Sequence, residues 1–452
     1  MGLFSQLTGR GRDSRIEADQ IGSAKFKANP FPCYSRLRAE APVCRVTLLS
    51  METAWLVTRY DDVAMVLKDE RFVKDTANAL TPGQAANQAW FRHLKLYKLL
   101  QRNMLNQDPP DHTRLRALVG KAFTPRLIEQ IRPRVEAMTH ELLDRVQDRR
   151  RMDLIHDYAL PLPATIIAEM LGVPVNDRHK FQRWSNAILS TTSNWRMAKG
   201  ILNVVAFIRY TRKIIKTRRA DPQDDLLSAL VQAEESGDRL SEDELVAMVM
   251  LLLVAGHETT VNLIGNGMLA LLEHTDQLEM LQSNQQLIKP AVEELLRFTS
   301  PVDVATERYA REDITIAGVM IPRGEMVLGV IGSANRDDRQ FANPDLLDIA
   351  REPNRHLSFG LGNHFCLGAS LARLEGQIAI NTLLGRVPDL RLSVAPDLLR
   401  WRTSLLLRGL ESLPVAWGTT SKPNQSGANQ GRATYVRGSS QATGAFRSSP
   451  VS

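Results

Sequence analysis

Residues 241–273 constrain the fold of this chain more than any other segment. Ser241-Glu242-Asp243-Glu244 is a capping box, with Ser and a Glu three residues later able to satisfy each other's backbone N–H groups at a helix start. The pattern predicts a long helix from there to about Glu273. Its first half, from Leu245 to Gly256, is apolar on every face. A helix that is apolar all round has to be buried on all sides. That uninterrupted run falls short of the roughly 20 residues needed to cross a bilayer. The helix is therefore expected to pass through the middle of a large molecule, and no membrane association is expected.

A chain of 452 residues has the length for one large domain or a few ordinary ones. With 43% hydrophobic and 24% charged residues it is neither disordered, collagen-like nor a coiled coil. Further helices are expected from apolar spacing near three and four at Asp111 to Ala122, Pro125 to Gln147, Leu160 to Leu171, Asp177 to Thr191 and Ile201 to Arg219. Thr124-Pro125 supplies an N-cap followed by proline in the first turn. Strand signals are few and short. Trp55 to Thr58 precedes a helix over Asp61 to Lys68. Ile314 to Gly318 and Val327 to Val330 flank the turn Ile321-Pro322-Arg323-Gly324 and suggest a hairpin. The fold class expected is mainly α with a small β portion.

The ends differ from the body. Residues 418–452 are rich in Ser, Gly, Asn, Gln and Thr and hold Lys422, Arg432, Arg437 and Arg447 without an acid. Such a segment buries too little to offset the entropy of ordering, so a disordered tail is expected. Residues 1–28 read as a flexible lead-in, which leaves 29–417 as the functional domain. The overall charge of +7 owes +4 to that tail. The remaining +3 is too small for an electrostatic footprint on nucleic acid. Cys33, Cys44 and Cys366 cannot form a disulfide framework at this size, which points to a reducing compartment and a cytoplasmic protein. The start of the chain has no apolar core of signal-peptide length.

The segment richest in chemistry is Phe359-Gly360-Leu361-Gly362-Asn363-His364-Phe365-Cys366-Leu367-Gly368. Glycines at alternate positions let the backbone approach a flat object closely. An amphipathic helix is expected from Leu367 to Leu384, placing Cys366 at a helix N-terminus that favours a thiolate. A thiolate is an axial ligand for haem iron that pushes electron density onto the metal. An ordinary cysteine is more often buried and structural; the ten-residue spacing reverses that weighting here.

These ten residues resemble the haem-binding loop of the cytochrome P-450 family, Phe-Gly-x-Gly-x-His-x-Cys-x-Gly, at every fixed position. The resemblance extends over about Asn29 to Trp417 and is similar to the soluble bacterial class, especially its macrolide- and fatty-acid-hydroxylating group. It implies a triangular helical prism with haem b between a long central helix and the cysteine loop, and Cys366 as the iron's axial ligand. Ala255-Gly256-His257-Glu258-Thr259-Thr260 lies in the long helix. His257-Glu258 alone suggests a zinc protease, but the second histidine would fall on Val261. In the resemblance, Gly256 loosens the helix, and Glu258 and Thr259 are the acid–alcohol pair that delivers protons for dioxygen cleavage. The plainer reading of Thr259 is a hydroxyl bonded to its own helix carbonyl.

The resemblance also implies structural and cofactor-binding roles. Glu294 and Arg297, three apart on one helix face, would form a buried ion pair joined by Arg351. The two haem propionates need cations. His112 and Arg116, in Asp108-Pro109-Pro110-Asp111-His112-Thr113-Arg114-Leu115-Arg116, would hold them together with Arg308 and His364. His356 is a weaker candidate for the same place, and Phe359 would pack near the cysteine side of the haem. The substrate pocket would draw on Phe72 to Met104, Leu253 to Ala255, Pro301 to Ala305 and Thr403 to Leu406. Its apolar wall suits a hydrophobic substrate such as a polyketide, fatty acid, terpene or steroid.

The activity implied is a monooxygenase, with dioxygen as co-substrate and NAD(P)H as the indirect electron source. The chain has neither the length of a fused reductase nor a cysteine cluster, so a separate ferredoxin or flavodoxin with its reductase is expected. Arg102, Lys121, Arg126 and Arg373 would suit an acidic partner. Two rivals are weighed: a peroxide-driven peroxygenase, which usually lacks the acid–alcohol pair, and a haem sensor without turnover. Glu258 and Thr259 argue against both. A monomer is expected.

Overall fold

The computed structural model describes residues 20–48, 52–86, 95–177, 180, 184, 194–235 and 238–418. The capping box forms as its sequence requires. The Glu244 amide donates to Ser241 Oγ at 3.3 Å, and the Ser241 amide donates to Glu244 Oε2 at 2.8 Å. It opens one unbroken helix, Glu242–Glu273, of 32 residues. Val246, Met248, Ile264, Met268 and Leu271 along it are wholly shielded from solvent. The helix as a whole, unlike its uninterrupted apolar run, is long and apolar enough to cross a membrane. Yet 71% of its apolar window is buried inside the protein. Packing on every side accounts for its composition.

Around this central helix pack Pro161–Met170, Asn194–Ala220, Ile288–Thr299 and Ala369–Arg386. The helix Asp111–Ala122 has its expected bounds. Pro125–Asp144 is capped by Thr124 as expected, its Oγ1 accepting from the Leu127 amide at 3.2 Å. It stops before Gln147, where a 3-10 turn takes over. Asn194–Ala220 begins earlier than Ile201. Of the helix expected over Asp177 to Thr191, only Lys180 and Trp184 are described as helical beyond Asp177; most of it lies outside the described residues. The architecture is mainly α with a small β portion.

The β portion differs in its pairing. Ile314–Ile316 pairs with Val319–Ile321 across Ala317-Gly318, both at positive φ. That two-residue turn has the handedness tight hairpins prefer, but Ala-Gly is a weak sequence signal for it. Met326–Gly329 instead joins a five-stranded sheet, parallel to Thr53–Val57 and antiparallel to Arg308–Ala310. Val43–Thr47 and Phe72–Val73 complete that sheet. A three-stranded sheet unites Arg391–Leu392, Pro414–Ala416 and Arg151–Asp153. Strands of two or three residues carry too little alternation to be seen in sequence.

The lead-in is shorter than the sequence suggests. Ala24–Ala28 is a helix capped by Ser23, and Ile21, Phe26 and Lys27 are buried. The folded body therefore includes residues 21–28. The tail over 419–452 lies outside the described residues.

The expected ion cluster is present, with its Glu294–Arg297 core wholly inside. Arg297 Nε and Nη2 donate to the two oxygens of Glu294, each at 2.7 Å, and both side chains are 0% exposed. Arg351 Nε donates to the same carboxylate at 3.1 Å, and so does Asn354 Nδ2. Arg297 Nη1 also donates to the carbonyls of Asn335 and Pro344. Glu294→Ala leaves the buried Arg297 guanidinium without its carboxylate partner, a loss of about 3–5 kcal/mol. Denaturant unfolding of the variant is expected to show a lower midpoint by a corresponding amount. An unchanged midpoint would contradict a stabilising role for the cluster.

Candidate active site

A cavity of about 1150 Å³ is lined both by the central helix and by the loop that precedes the helix Ala369–Arg386. The loop owes its shape to Gly360 and Gly362, each at φ +70°. A Cβ on Gly362 would stand 3.1 Å from the Leu67 carbonyl oxygen, so any other residue there meets both strain and a clash. A 3-10 turn over Gly362–His364 follows, and the Cys366 amide closes back onto the Phe359 carbonyl at 2.8 Å.

Of the three cysteines, Cys33 and Cys44 are buried, whereas Cys366 is accessible and lines the cavity. The helix begins at Ala369, later than Leu367, with Gly368 as its cap. Burial in the apolar floor raises the Cys366 pKa; the Gly368 amide and the charges of Arg116 and Arg373 oppose that rise without overcoming it. The helix terminus alone therefore does not make the thiolate. A bound metal cation would, since a coordinating thiol is deprotonated outright.

Beside the cysteine the structure gathers cations. His112, Arg116, Arg308 and His364 all line the cavity. The His112 and His364 rings stand 4.3 Å apart. His112 is 2% exposed, and neither ring nitrogen has a hydrogen-bond partner. Burial lowers its pKa, and Arg116 lowers it further. His364 is pushed down to about 2, first by burial and then by Lys74, His112, Arg308 and Arg116. Arg308 is almost fully buried, donates to the Leu67 carbonyl at 3.2 Å, and falls to about 10 through burial. Buried unpaired donors and mutually repelling cations are what a bound dianion would relieve. A flat group with one metal and two carboxylates fits this donor set: a cysteine for the metal, four cationic or hydrogen-donating groups for the carboxylates. Phe359 also lines the cavity, its ring carrying the Arg373 guanidinium at 4.4 Å.

His356 is not part of that cluster. It meets Glu293 Oε2 at 3.1 Å, and Arg373 donates to the same carboxylate at 2.7 and 2.8 Å. Arg373 is thus an internally paired residue, and Arg102 stands 3.5 Å from Asp243. The basic rim expected for an acidic partner is weaker than the sequence suggests, because charges of both signs converge there from segments far apart in the chain.

The acid and the alcohol of the central helix both line the cavity. Arg402 Nη1 donates to Glu258 Oε1 at 2.9 Å. Thr259 Oγ1 donates to the Ala255 carbonyl four residues back at 3.1 Å, the plainer of its two readings. The helix runs on without a break through Gly256. His257 Nδ1 stands 2.7 Å from the Leu253 carbonyl, and among the described residues no group of His, Cys, Asp and Glu could hold a bare metal ion. Val302, Val304, Ala305, Leu405 and Leu406 give the wall an apolar stretch, beside the hydroxyl-bearing Thr403 and Ser404. Asp303 and Leu253, within the expected wall segments, point elsewhere, and of 72–104 only Met104 contributes among the described residues.

Sequence reasoning missed two neighbours of the site. Lys74 is buried, donates to Thr306 Oγ1 at 2.6 Å and the Glu307 carbonyl at 2.8 Å, and falls to about 7 through burial and Arg308. Arg402 reaches Glu258 because the Trp401–Leu410 bridge folds its segment back. Neither stands in a motif; only the fold brings them in.

A mainly helical fold sets the cysteine loop, a cluster of arginine and histidine side chains and the Glu258–Thr259 pair around one cavity. The family model for Cytochrome P450 matches residues 20–387, and the chain belongs to that family. It is 48% identical to the polyketide biosynthesis cytochrome P450 PksS of Bacillus subtilis (strain 168) over 87% of this chain and 96% of that protein. It is 45% identical to the cytochrome P450 monooxygenase PikC of Streptomyces venezuelae, over 87% of this chain and 92% of that one. The solved structure of PksS superposes with a TM-score of 0.82 over 88% of this chain and 99% of that chain. That of P450BioI in complex with an acyl carrier protein bearing hexadec-9Z-enoic acid superposes with a TM-score of 0.80 at 42% identity, over 88% and 100%. The protein is an oxygen-incorporating oxidoreductase, a cytochrome P450 monooxygenase, and the family implies haem iron.

Arg308→Ala and His112→Ala remove donors from the cationic cluster while leaving the cysteine. Hydrogen bonds to charged groups contribute about 1.5–3 kcal/mol. Transfer of haem from each variant to apomyoglobin is expected to be about tenfold faster or more than from the wild type. Equal rates would contradict a propionate-holding role.

Proposed function

We propose that the cavity holds haem b with Cys366 as axial ligand and His112, Arg116, Arg308 and His364 on its propionates, and that it oxidises a hydrophobic molecule bound above it. The observation that carries this reading is the meeting, in one cavity, of an accessible cysteine, a buried histidine with two unpartnered nitrogens, and the Glu258–Thr259 pair. Haem, when bound, supplies the activation of dioxygen that the side chains themselves cannot perform.

The remaining work falls to the chain. Phe359 packs beside the cysteine, and the glycines at 360 and 362 let the loop backbone lie close to a planar ring. Most of the cavity wall is apolar, which leaves proton donors few. One oxygen atom enters the substrate C–H bond, or adds across a double bond, and the other leaves as water, with two electrons and two protons consumed. Glu258 is the acid in contact with the cavity that passes protons inward, and Arg402, donating to its Oε1 at 2.9 Å, orients it. The Thr259 hydroxyl, which bonds the Ala255 carbonyl between turnovers, relays such a proton to the reacting oxygen.

The substrate belongs to the hydrophobic class of polyketides, fatty acids, terpenes or steroids. The relatives support this: PksS is named for polyketide biosynthesis, and P450BioI was solved with a fatty acyl carrier protein. Cys33 and Cys44 are buried under the N-terminal sheet, so Cys366 has no companions for an iron–sulphur cluster. Electrons are therefore drawn from NAD(P)H through a separate ferredoxin or flavodoxin and its reductase. Residues from about 20 to 417 form the catalytic domain, working in the cytoplasm as a monomer.

Two variants test the proton path. With a surrogate ferredoxin, reductase and NADPH, Glu258→Gln is expected to slow NADPH oxidation about tenfold or more. Thr259→Ala is expected to keep oxidation fast while diverting electrons to hydrogen peroxide. The check is peroxide formed per NADPH consumed. A Thr259→Ala variant as well coupled as the wild type would contradict the role of the hydroxyl.

A further inference from the structure

Behind the apolar wall lies a charged cluster that neither the haem site nor the proton path uses. Lys27 and Asp303 are both 0% exposed, with Nζ 2.5 Å from Oδ2. Tyr34, also fully buried, donates its hydroxyl to the same Oδ2 at 2.8 Å. Arg408 Nε donates to the Lys27 carbonyl at 2.9 Å. Taking two charges out of water costs several kcal/mol each, and apolar replacements of such a pair are often neutral or stabilising. Stability is therefore a poor explanation for its presence.

Its position suggests another. Residues 301–305 lie beside 403–407, joined by the Val302–Leu407 bridge and by the Asp303 and Val304 amides, which donate to the Leu406 carbonyl at 2.8 and 3.1 Å. Pro301, Val302, Val304 and Ala305 line the cavity, whereas Asp303 does not. The Lys27 ammonium bonds to both runs at once, to Asp303 and to the Leu405 carbonyl at 3.0 Å. One cation of the N-terminal helix thus fixes the two halves of the wall from behind. The remaining oxygen, Oδ1, has no partner and lies where a Cβ on Gly332 would stand at 2.2 Å. Only glycine at 332 leaves room for the carboxylate.

We propose that the Lys27–Asp303 pair is a positioning device for the wall formed by Val302, Val304, Leu405 and Leu406, and so determines which bulky hydrophobic molecules the cavity accepts. The pair acts through the wall and touches no substrate itself. The proposal rests on the haem reading above, and the test separates the two.

The test compares azole binding by the holoenzyme, followed through the shift of its visible spectrum. Imidazole reports iron ligation alone; clotrimazole adds a bulky apolar body that must meet the wall. In the double variant Lys27→Met with Asp303→Leu, imidazole affinity is expected to stay within about twofold. The ratio of clotrimazole to imidazole affinity is expected to fall about tenfold. An unchanged ratio, or no preference for clotrimazole in the wild type, overturns the proposal. Should the double variant fail to fold, Tyr34→Phe decides: it withdraws one donor from Asp303 and is expected to lower the ratio about threefold. An unchanged ratio there again overturns it. A wild-type protein that ligates no imidazole would remove the haem reading, and this proposal with it.

Discussion

The carboxylate of Glu294, closed inside the protein with Arg297 and joined by the partly exposed Arg351, is the interaction on which the geometry of the site depends. Arg297 holds more than its acid. Its guanidinium fixes the carbonyls of Asn335, Pro344 and Leu346. Asn335 in turn accepts from the Leu357 amide and donates to Ser358 Oγ, and Ser358 Oγ donates to the Leu296 carbonyl. Phe359, the first residue of the cysteine loop, follows directly. A buried ion pair set one turn from a helix end therefore decides where Cys366 stands. Such a cluster is retained for the arrangement it enforces more than for net stability.

The central helix faces a conflicting demand. It must be apolar enough to lie inside the protein, yet carry an acid and an alcohol at the cavity. The two requirements meet at residues 255–260, where side chains face a cavity instead of a neighbouring helix. Glu258 is tolerable there because Arg402 compensates it. Thr259 is tolerable because its hydroxyl bonds within the helix.

Much of this was legible in the sequence, and the reasons are local. The capping box, the Thr124 cap and the Gly-x-Gly-x-His-x-Cys loop act through neighbours within a few residues, so their signals survive without the fold. Glu294 and Arg297 lie three apart, and their resemblance to a known motif extended to Arg351. What the sequence hid is long-range. Arg402 reaches Glu258 from 144 positions away. Lys74 reaches Thr306 across 232, and Lys27 reaches Asp303 across 276. The hairpin was misread because two neighbouring turns competed and the weaker-looking Ala317-Gly318 closed it. The basic rim was overcounted because Glu293 and Asp243 arrive from elsewhere to pair with Arg373 and Arg102.

The central claim is that Cys366 ligates haem iron in this cavity. The measurement that tests it most directly is the absorption spectrum of the purified, dithionite-reduced protein before and after carbon monoxide. The account predicts a strongly red-shifted Soret band, the signature of a thiolate opposite carbon monoxide, lost in Cys366→His. A protein without haem, or a wild-type band of the kind given by histidine ligation, would contradict it.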